Sequence, residues 1–216
     1  MLDTATDLAA LAGTVDRFCR ALEADDAEPV VVLRLPHVDL TSTQRAWPPR
    51  HTTTSDVSKW EKAVRRLESL QLVKLAVGSG RCGGPATDLL LVADYRLAAD
   101  DFVLLFPVND GHFFPSMTLY RLAQELPGGH ARQLVLWASD MAAARAHELG
   151  LIDRVVPLAD VRAAEVSCEQ LLEMQGAAAE LRLRRQLLSG AQQTVHEEAL
   201  GVHLAACDRE FRRWRV

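Results

Sequence analysis

A chain of 216 residues, 49% hydrophobic and 25% charged, is long enough to build one domain with a real core and has an ordinary globular composition. Its formal net charge of −5 argues against the basic face that nucleic-acid binders carry, so no nucleic-acid partner is expected. No apolar run reaches bilayer-spanning length, and the first residues, MLDTATDLAALAG, are acidic where an export signal is basic. Cys19, Cys82, Cys168 and Cys207 stand far apart with no CxxC or Cys/His spacing. The expectation is a cytoplasmic protein with reduced cysteines, no metal and no membrane attachment.

Leu8, Leu11, Val15, Phe18, Cys19 and Leu22 recur at helical spacing, so an amphipathic helix opens the chain. Val30 to Leu35, VVVLRL, is a β-branched run that predicts a buried strand. Pro36 to Thr54 has no period and reads as a loop, flanked by His37 and His51. Ser58-x-x-Glu61 has the form of a capping box ahead of Trp60, Val64, Leu67 and Leu70. Val73 to Val77 predicts the next strand. The glycine-rich turn Gly78-Ser79-Gly80-Arg81-Cys82-Gly83-Gly84 follows, then a helix over Asp88 to Asp94 and strands over Tyr95–Ala98 and Phe102–Phe106. Helices are expected over Ser116–Leu126 and Ala131–Ala138. Asp140 is expected to cap a further helix that stops at Gly150, before a strand over Ile152–Val156. From Leu158 onward the pattern is helical, with breaks near Gly176 and Gly190 and a Thr194-x-x-Glu197 cap on the last helix. Alternation followed by a helical tail indicates an α/β domain, with a core over 1–157 and a helical region over 158–216. The basic ending Arg209, Arg212, Arg213 and Arg215 reads as a solvated helix end or a phosphate-facing run.

The chemistry of the glycine turn has two readings. A turn with little side-chain bulk, feeding a helix start, lets a ligand approach free N–H groups and can hold a phosphate or an oxyanion. The same glycines also serve a tight strand-to-helix connection. Asp88 is either an acid/base group or a carboxylate that complements the helix dipole. Asp110 and His112 are either an acid/base pair or part of an Asn109-Asp110-Gly111 turn. Ser116 lacks a G-x-S-x-G setting and reads as a helix cap.

The succession AVxG, glycine-rich turn, acidic residue, LLLxAD, xRLAA, FP, RLAQELPG and ARQLVLWASDMAAARAHELGLIDRVVP resembles the enoyl-CoA hydratase/isomerase (crotonase) superfamily. Ala142 to Val156 matches that family's GLV(D/N)xVV passage. VSKWEKAVRRLESL, followed by GRCGGPATDLLLVADYRLAA, is similar to the small DpgB proteins of 3,5-dihydroxyphenylglycine biosynthesis. The resemblance implies a spiral of ββα units, C-terminal helices that build a homotrimer, and a CoA thioester as substrate with no separate cofactor. It also implies two backbone N–H groups on the thioester oxygen, preorganised for the enolate. Within the narrower group it implies partnership with a type III polyketide synthase and another crotonase-like protein. The expected work there is cyclisation and dehydration to 3,5-dihydroxyphenylacetyl-CoA in antibiotic biosynthesis. A non-catalytic partner of the synthase and a generic enoyl-CoA hydratase are the alternatives.

The departures from the family pattern are specific. An ungapped count from Asp94 puts the second oxyanion donor at Pro85, which has no N–H, so Gly84 is the substitute. The first donor falls at Thr53 or Thr54, ahead of Asp56 and without the usual Ala-Gly pair. The first catalytic glutamate corresponds to Asp88 and the second to Val108, with Asp110 and His112 just beyond it. The family's N-terminal β-hairpin has no counterpart in the sequence. Tyr120 and Arg121 fall on a helix near the expected pocket, where packing or a surface charge also accounts for them.

Overall fold

The computed structural model describes residues 7–24, 30–36, 51–70, 72–106, 108–109, 112–113, 116–137, 139–174, 183–185, 187–188 and 195–214. The elements run α1 (Leu8–Ala24), β1 (Val30–Arg34), α2 (Thr54–Ser69), β2 (Val73–Gly78), β3 (Arg81–Gly83), α3 (Pro85–Leu91), β4 (Tyr95–Ala99) and β5 (Val103–Leu105). They continue with β6 (Val108–Asn109), β7 (His112–Phe113), α4 (Thr118–Glu125), α5 (Gly128–Trp137), β8 (Met141–Ala142), α6 (Ala143–Glu148), β9 (Arg154–Val156), α7 (Val161–Met174) and α8 (His196–Trp214).

Four strands form a parallel sheet in the order β1-β2-β4-β9, with Leu75 between Val32 and Tyr95, and Ala98 opposite Val155. Every residue of β2 is buried, as a central parallel strand covered on both faces requires. Strand alternation then divides the core. Val73, Leu75, Val77 and Leu97 pack with Ala164 and Cys168 of α7. Ala76, Ala98 and Leu33 share the opposite, larger cluster with Leu11 and Val15 of α1 and Trp60, Val64 and Leu67 of α2. Arg66 of α2 pairs with Asp16 and Glu23 of α1 across the seam between those two helices.

A second sheet, β3-β5-β8, carries the glycine turn. The segment read as a continuous turn contains β3, whose residues pair with β5 in parallel: Arg81 with Val103, Cys82 with Leu104, Gly83 with Leu105. A strand of three residues ending in glycine carries no periodic signal. The residue type is set by contact, since a Cβ on Gly83 would sit 2.9 Å from Leu105 Cβ and 3.1 Å from its carbonyl oxygen.

Boundaries move for local reasons. The capping box of α2 is Thr53 with Asp56 rather than Ser58 with Glu61, so the helix begins a turn earlier. α3 starts at Pro85, where a missing N–H costs nothing, and ends at Leu91 rather than Asp94. Asp94 instead accepts the Lys74 N–H at 2.8 Å. Asp140 does not cap α6, whose N-cap is Ala142; it pairs with Arg81 at 2.9 Å. Gly150 ends that helix region with φ 75°, as expected. The expected breaks at Gly176 and Gly190 and the Thr194 cap lie outside the described residues.

Candidate active site

The glycine turn delivers the chain into α3 through Gly84, whose φ of 58° and ψ of −122° suit glycine and strain any other residue. The Gly84 carbonyl accepts the Thr87 N–H at 3.0 Å and the Asp88 N–H at 3.4 Å, so the turn and the first helical turn form one rigid piece. All seven residues of α3 are buried. At its other end the Arg96 guanidinium donates to the Leu91 carbonyl at 2.9 Å and pairs with Glu125 of α4. That satisfies a helix-end carbonyl and ties α3 to α4.

Asp88 is 3% exposed, and three donors converge on it. Trp60 Nε1–H of α2 donates to Oδ2 at 2.8 Å, and the Thr118 hydroxyl of α4 donates to Oδ1 at 2.5 Å. Arg121 Nη1 approaches Oδ1 at 3.4 Å. The other arm of Arg121 donates to Glu61 Oε2 of α2 at 3.0 Å. One buried guanidinium therefore stands between two carboxylates from different helices. Burial pushes the Asp88 carboxyl above the usual carboxylate range, while Thr118, Trp60 and Arg121 pull it back down. Glu61 is also pushed up, first by burial and then by the charge of Asp88, with Arg121 acting the other way. Among the described residues, the side-chain oxygens Thr52 Oγ1, Glu61 Oε1 and Thr87 Oγ1 are buried with no hydrogen-bond partner. Among the described residues, no group of three His, Cys, Asp or Glu side chains has the arrangement to hold a metal ion.

The expected site residues fall as follows. Gly84 and Asp88 lie one helical turn apart at the head of α3. The Thr53 N–H donates to Asp56 Oδ2 at 3.0 Å and its hydroxyl to the same oxygen at 2.7 Å. As the N-cap of a 16-residue helix, its N–H is engaged and in this conformation does not serve a ligand oxygen. Thr54 is the first helical residue. Asp110 lies outside the described residues. The backbone of His112 pairs with that of Asn109 in the β6–β7 hairpin, with Val108 opposite Phe113. Arg121 belongs to the Asp88 cluster, whereas Tyr120 is exposed on the other side of α4.

Sequence reasoning missed Trp60 and Thr118 as partners of Asp88, and Glu61 as the second partner of Arg121. Trp60 reads as one more residue of the apolar stripe of α2. Thr118 and Arg121, three apart on one helix face, carried the available signal, since that spacing aims both at a single point.

Fold and site define an α/β protein with a parallel sheet, a glycine turn leading into a buried helix and a buried carboxylate one turn in. The enoyl-CoA hydratase/isomerase family model matches residues 38–205. The chain is 38% identical over 196 residues to an enoyl-CoA-hydratase of Amycolatopsis orientalis, covering 90% of this chain and 85% of that one. A crystal structure of enoyl-CoA hydratase from Bacillus anthracis superposes with a TM-score of 0.74 at 20% identity, covering 92% of this chain and 79% of the other. An enoyl-CoA hydratase/isomerase family protein from Silicibacter pomeroyi gives a TM-score of 0.80 at 17% identity, with 95% and 90% covered. The chain belongs to the enoyl-CoA hydratase/isomerase family, and its architecture, C-terminal helices included, is the crotonase fold.

Proposed function

We propose that the protein is an enoyl-CoA hydratase-like lyase that holds a CoA thioester at the glycine turn and removes or adds water at its β-carbon. The observation that supports this reading is the position of Asp88, a buried carboxylate fixed behind Gly84 by donors from two other helices. Water loss β to a thioester needs donors for the enolate oxygen, a base for the α-proton and an acid for the departing hydroxyl. Gly84 is the proposed oxyanion donor, and Asp88 is the proposed proton-transfer group. Asp110 and His112 are proposed as its helpers. Thr53 joins the hole only if ligand binding opens its capping box.

The substrate we propose is a CoA-bound polyketide. The protein then assists a type III polyketide synthase, together with another crotonase-like protein, in forming 3,5-dihydroxyphenylacetyl-CoA. The DpgB-like passages in α2 and the glycine turn support this. Aromatisation is strongly downhill, so a site with Val108 in place of the second glutamate suffices. A homotrimer is the proposed assembly, supported by Leu200, Val202 and Leu204 exposed along α8. Among the described residues no helix is long and apolar enough to cross a membrane; a cytoplasmic location stays part of the proposal.

Two other readings each have an observation in favour. Pro85 and Val108 favour a non-catalytic partner that only stimulates the synthase. The relative's description as an enoyl-CoA-hydratase favours a generic hydratase. Two assays separate them: hydration of crotonyl-CoA, and yield of 3,5-dihydroxyphenylacetyl-CoA when the protein is added to the synthase and malonyl-CoA. Efficient crotonyl-CoA turnover with no gain in yield selects the generic hydratase. A gain that survives Asp88→Asn selects the helper.

A further inference from the structure

Glu61 is the one titratable group in contact with the Asp88 cluster to which neither the family pattern nor the reaction above gives a role. α2 grips Asp88 twice. Trp60 donates to it directly, and the adjacent Glu61 holds the second arm of Arg121, whose first arm reaches Asp88. The side chains of Asp88, Arg121 and Glu61 are 4%, 10% and 20% exposed, so water screens this trio poorly. Two carboxylates around one guanidinium leave an excess negative charge there, and a buried excess charge is relieved by taking up a proton.

Hydrogen bonding decides where the proton sits. Asp88 accepts from Trp60, Thr118 and Arg121, a set of donors that fits the ionised form. Among the described residues Glu61 accepts only from Arg121, at Oε2, and its Oε1 is buried without a partner. A bare buried anionic oxygen is far less favourable than a neutral hydroxyl there. We propose that Glu61 is a positioning residue for Asp88: joined through Arg121, the two carboxylates carry one proton between them, held at Glu61 Oε1. In the thioester lyase proposed above, on which this inference rests, the pair replaces the carboxyl that Val108 displaces. The charged groups acting on Glu61 are Asp88 on α3, Arg121 on α4 and Glu68 on its own helix. Asp88 and Glu68 raise its carboxyl and Arg121 lowers it, and burial adds the largest upward push. Burial raises Asp88 too, with Thr118, Trp60 and Arg121 acting the other way; its donors, against the bare Oε1 of Glu61, are the ground for placing the proton on Glu61.

The test is a carboxyl 13C NMR titration of the full chain, native and as Glu61→Gln and Asp88→Asn, beside the pH profile of crotonyl-CoA turnover. The expected result is one glutamate titrating well above the usual carboxylate range. That resonance is lost in Glu61→Gln and moves down in Asp88→Asn, where the neighbouring charge is gone. Glu61→Gln also removes the limb of the turnover profile that reports loss of the Glu61 proton. A Glu61 that titrates in the ordinary range, or ignores Asp88→Asn, overturns the proposal. So does a turnover profile unmoved by Glu61→Gln. A high Glu61 titration in a protein with no thioester turnover supports the proton pair and removes the lyase reading instead. If Glu61→Gln does not fold, the Glu61 titration in Asp88→Asn still decides the question.

Discussion

Lys74 gives the sharpest stability test. It sits on β2 with no exposed surface, and its Nζ lies 3.0 Å from the Leu72 carbonyl, 3.4 Å from that of Leu70 and 3.3 Å from Asp94 Oδ2. Desolvation pulls its ammonium down from 10.5 to about 8, against the upward pull of Asp94. At about 1.4 kcal/mol per pH unit, that gap makes a protonated Lys74 cost about 3 kcal/mol in the fold. The folded state loses this proton before the unfolded chain does. Between about pH 8 and 10.5 the unfolded chain therefore binds more protons, and stability from this group rises with pH; below about pH 8 the full penalty applies. Lys74→Met carries no proton, and it leaves the local acceptors served. Arg185 Nη1 also donates to the Leu70 and Leu72 carbonyls, and Arg185 Nε pairs with Asp94 Oδ1 at 2.9 Å. Urea unfolding of both proteins at fixed concentration, from about pH 7 to 10.5, gives the comparison. The stability of Lys74→Met relative to the native protein should fall by about 3 kcal/mol over that range. A difference that stays flat with pH would refute the reasoning.

The remaining predictions concern the glycine turn and Asp88. Gly84→Ala forces a side chain into φ 58°, ψ −122° and should cost about 1–3 kcal/mol by urea unfolding. Gly83→Ala should cost a similar roughly 1–3 kcal/mol through the clash with Leu105. Trp60→Phe keeps the ring but removes the donor to a buried carboxylate, a loss of about 1.5–3 kcal/mol measured the same way. Asp88→Asn keeps the shape and removes the proton-transfer group, so thioester turnover should drop roughly 100- to 10,000-fold with oligomer size unchanged; turnover within a few fold of native would remove Asp88 from the chemistry.

The sequence read most clearly where the signal was periodic. Val73–Val77, Lys74 apart, and the stripe of α2 are apolar because both sides of the sheet are covered, and burial of that kind leaves a pattern. β3 left none, because a three-residue strand is defined by its partner β5 rather than by its own residues. Capping misled for a related reason. Two Ser/Thr-x-x-Asp/Glu matches stand near the start of α2, and the one that caps is decided by where the chain enters. In the site, the glycine turn and the family resemblance together singled out Asp88 and Gly84. The partners of Asp88 were not legible, because Trp60, Thr118 and Arg121 meet it only after three helices have packed.

Pro85 and Asp88, the two departures that the family resemblance places at the head of α3, have one consequence in common. Proline at the first helical position removes a donor from the turn, and aspartate in place of glutamate shortens the carboxylate's reach by one methylene, about 1.5 Å. Each change leaves the glycine turn less polar: the first deletes an N–H, and the second draws the carboxylate back toward the helix interior. There Trp60 and Thr118 occupy both carboxylate oxygens, so α2 and α4 set the orientation of Asp88. A carboxylate held this way has little freedom to follow a substrate. Under the lyase reading proposed above, it suits a thioester brought to a fixed group with a product well downhill, more than a reversible hydration that needs two mobile acids. The same geometry makes the helix pair α2 and α4, rather than the turn, the place where changes in sequence would retune the chemistry.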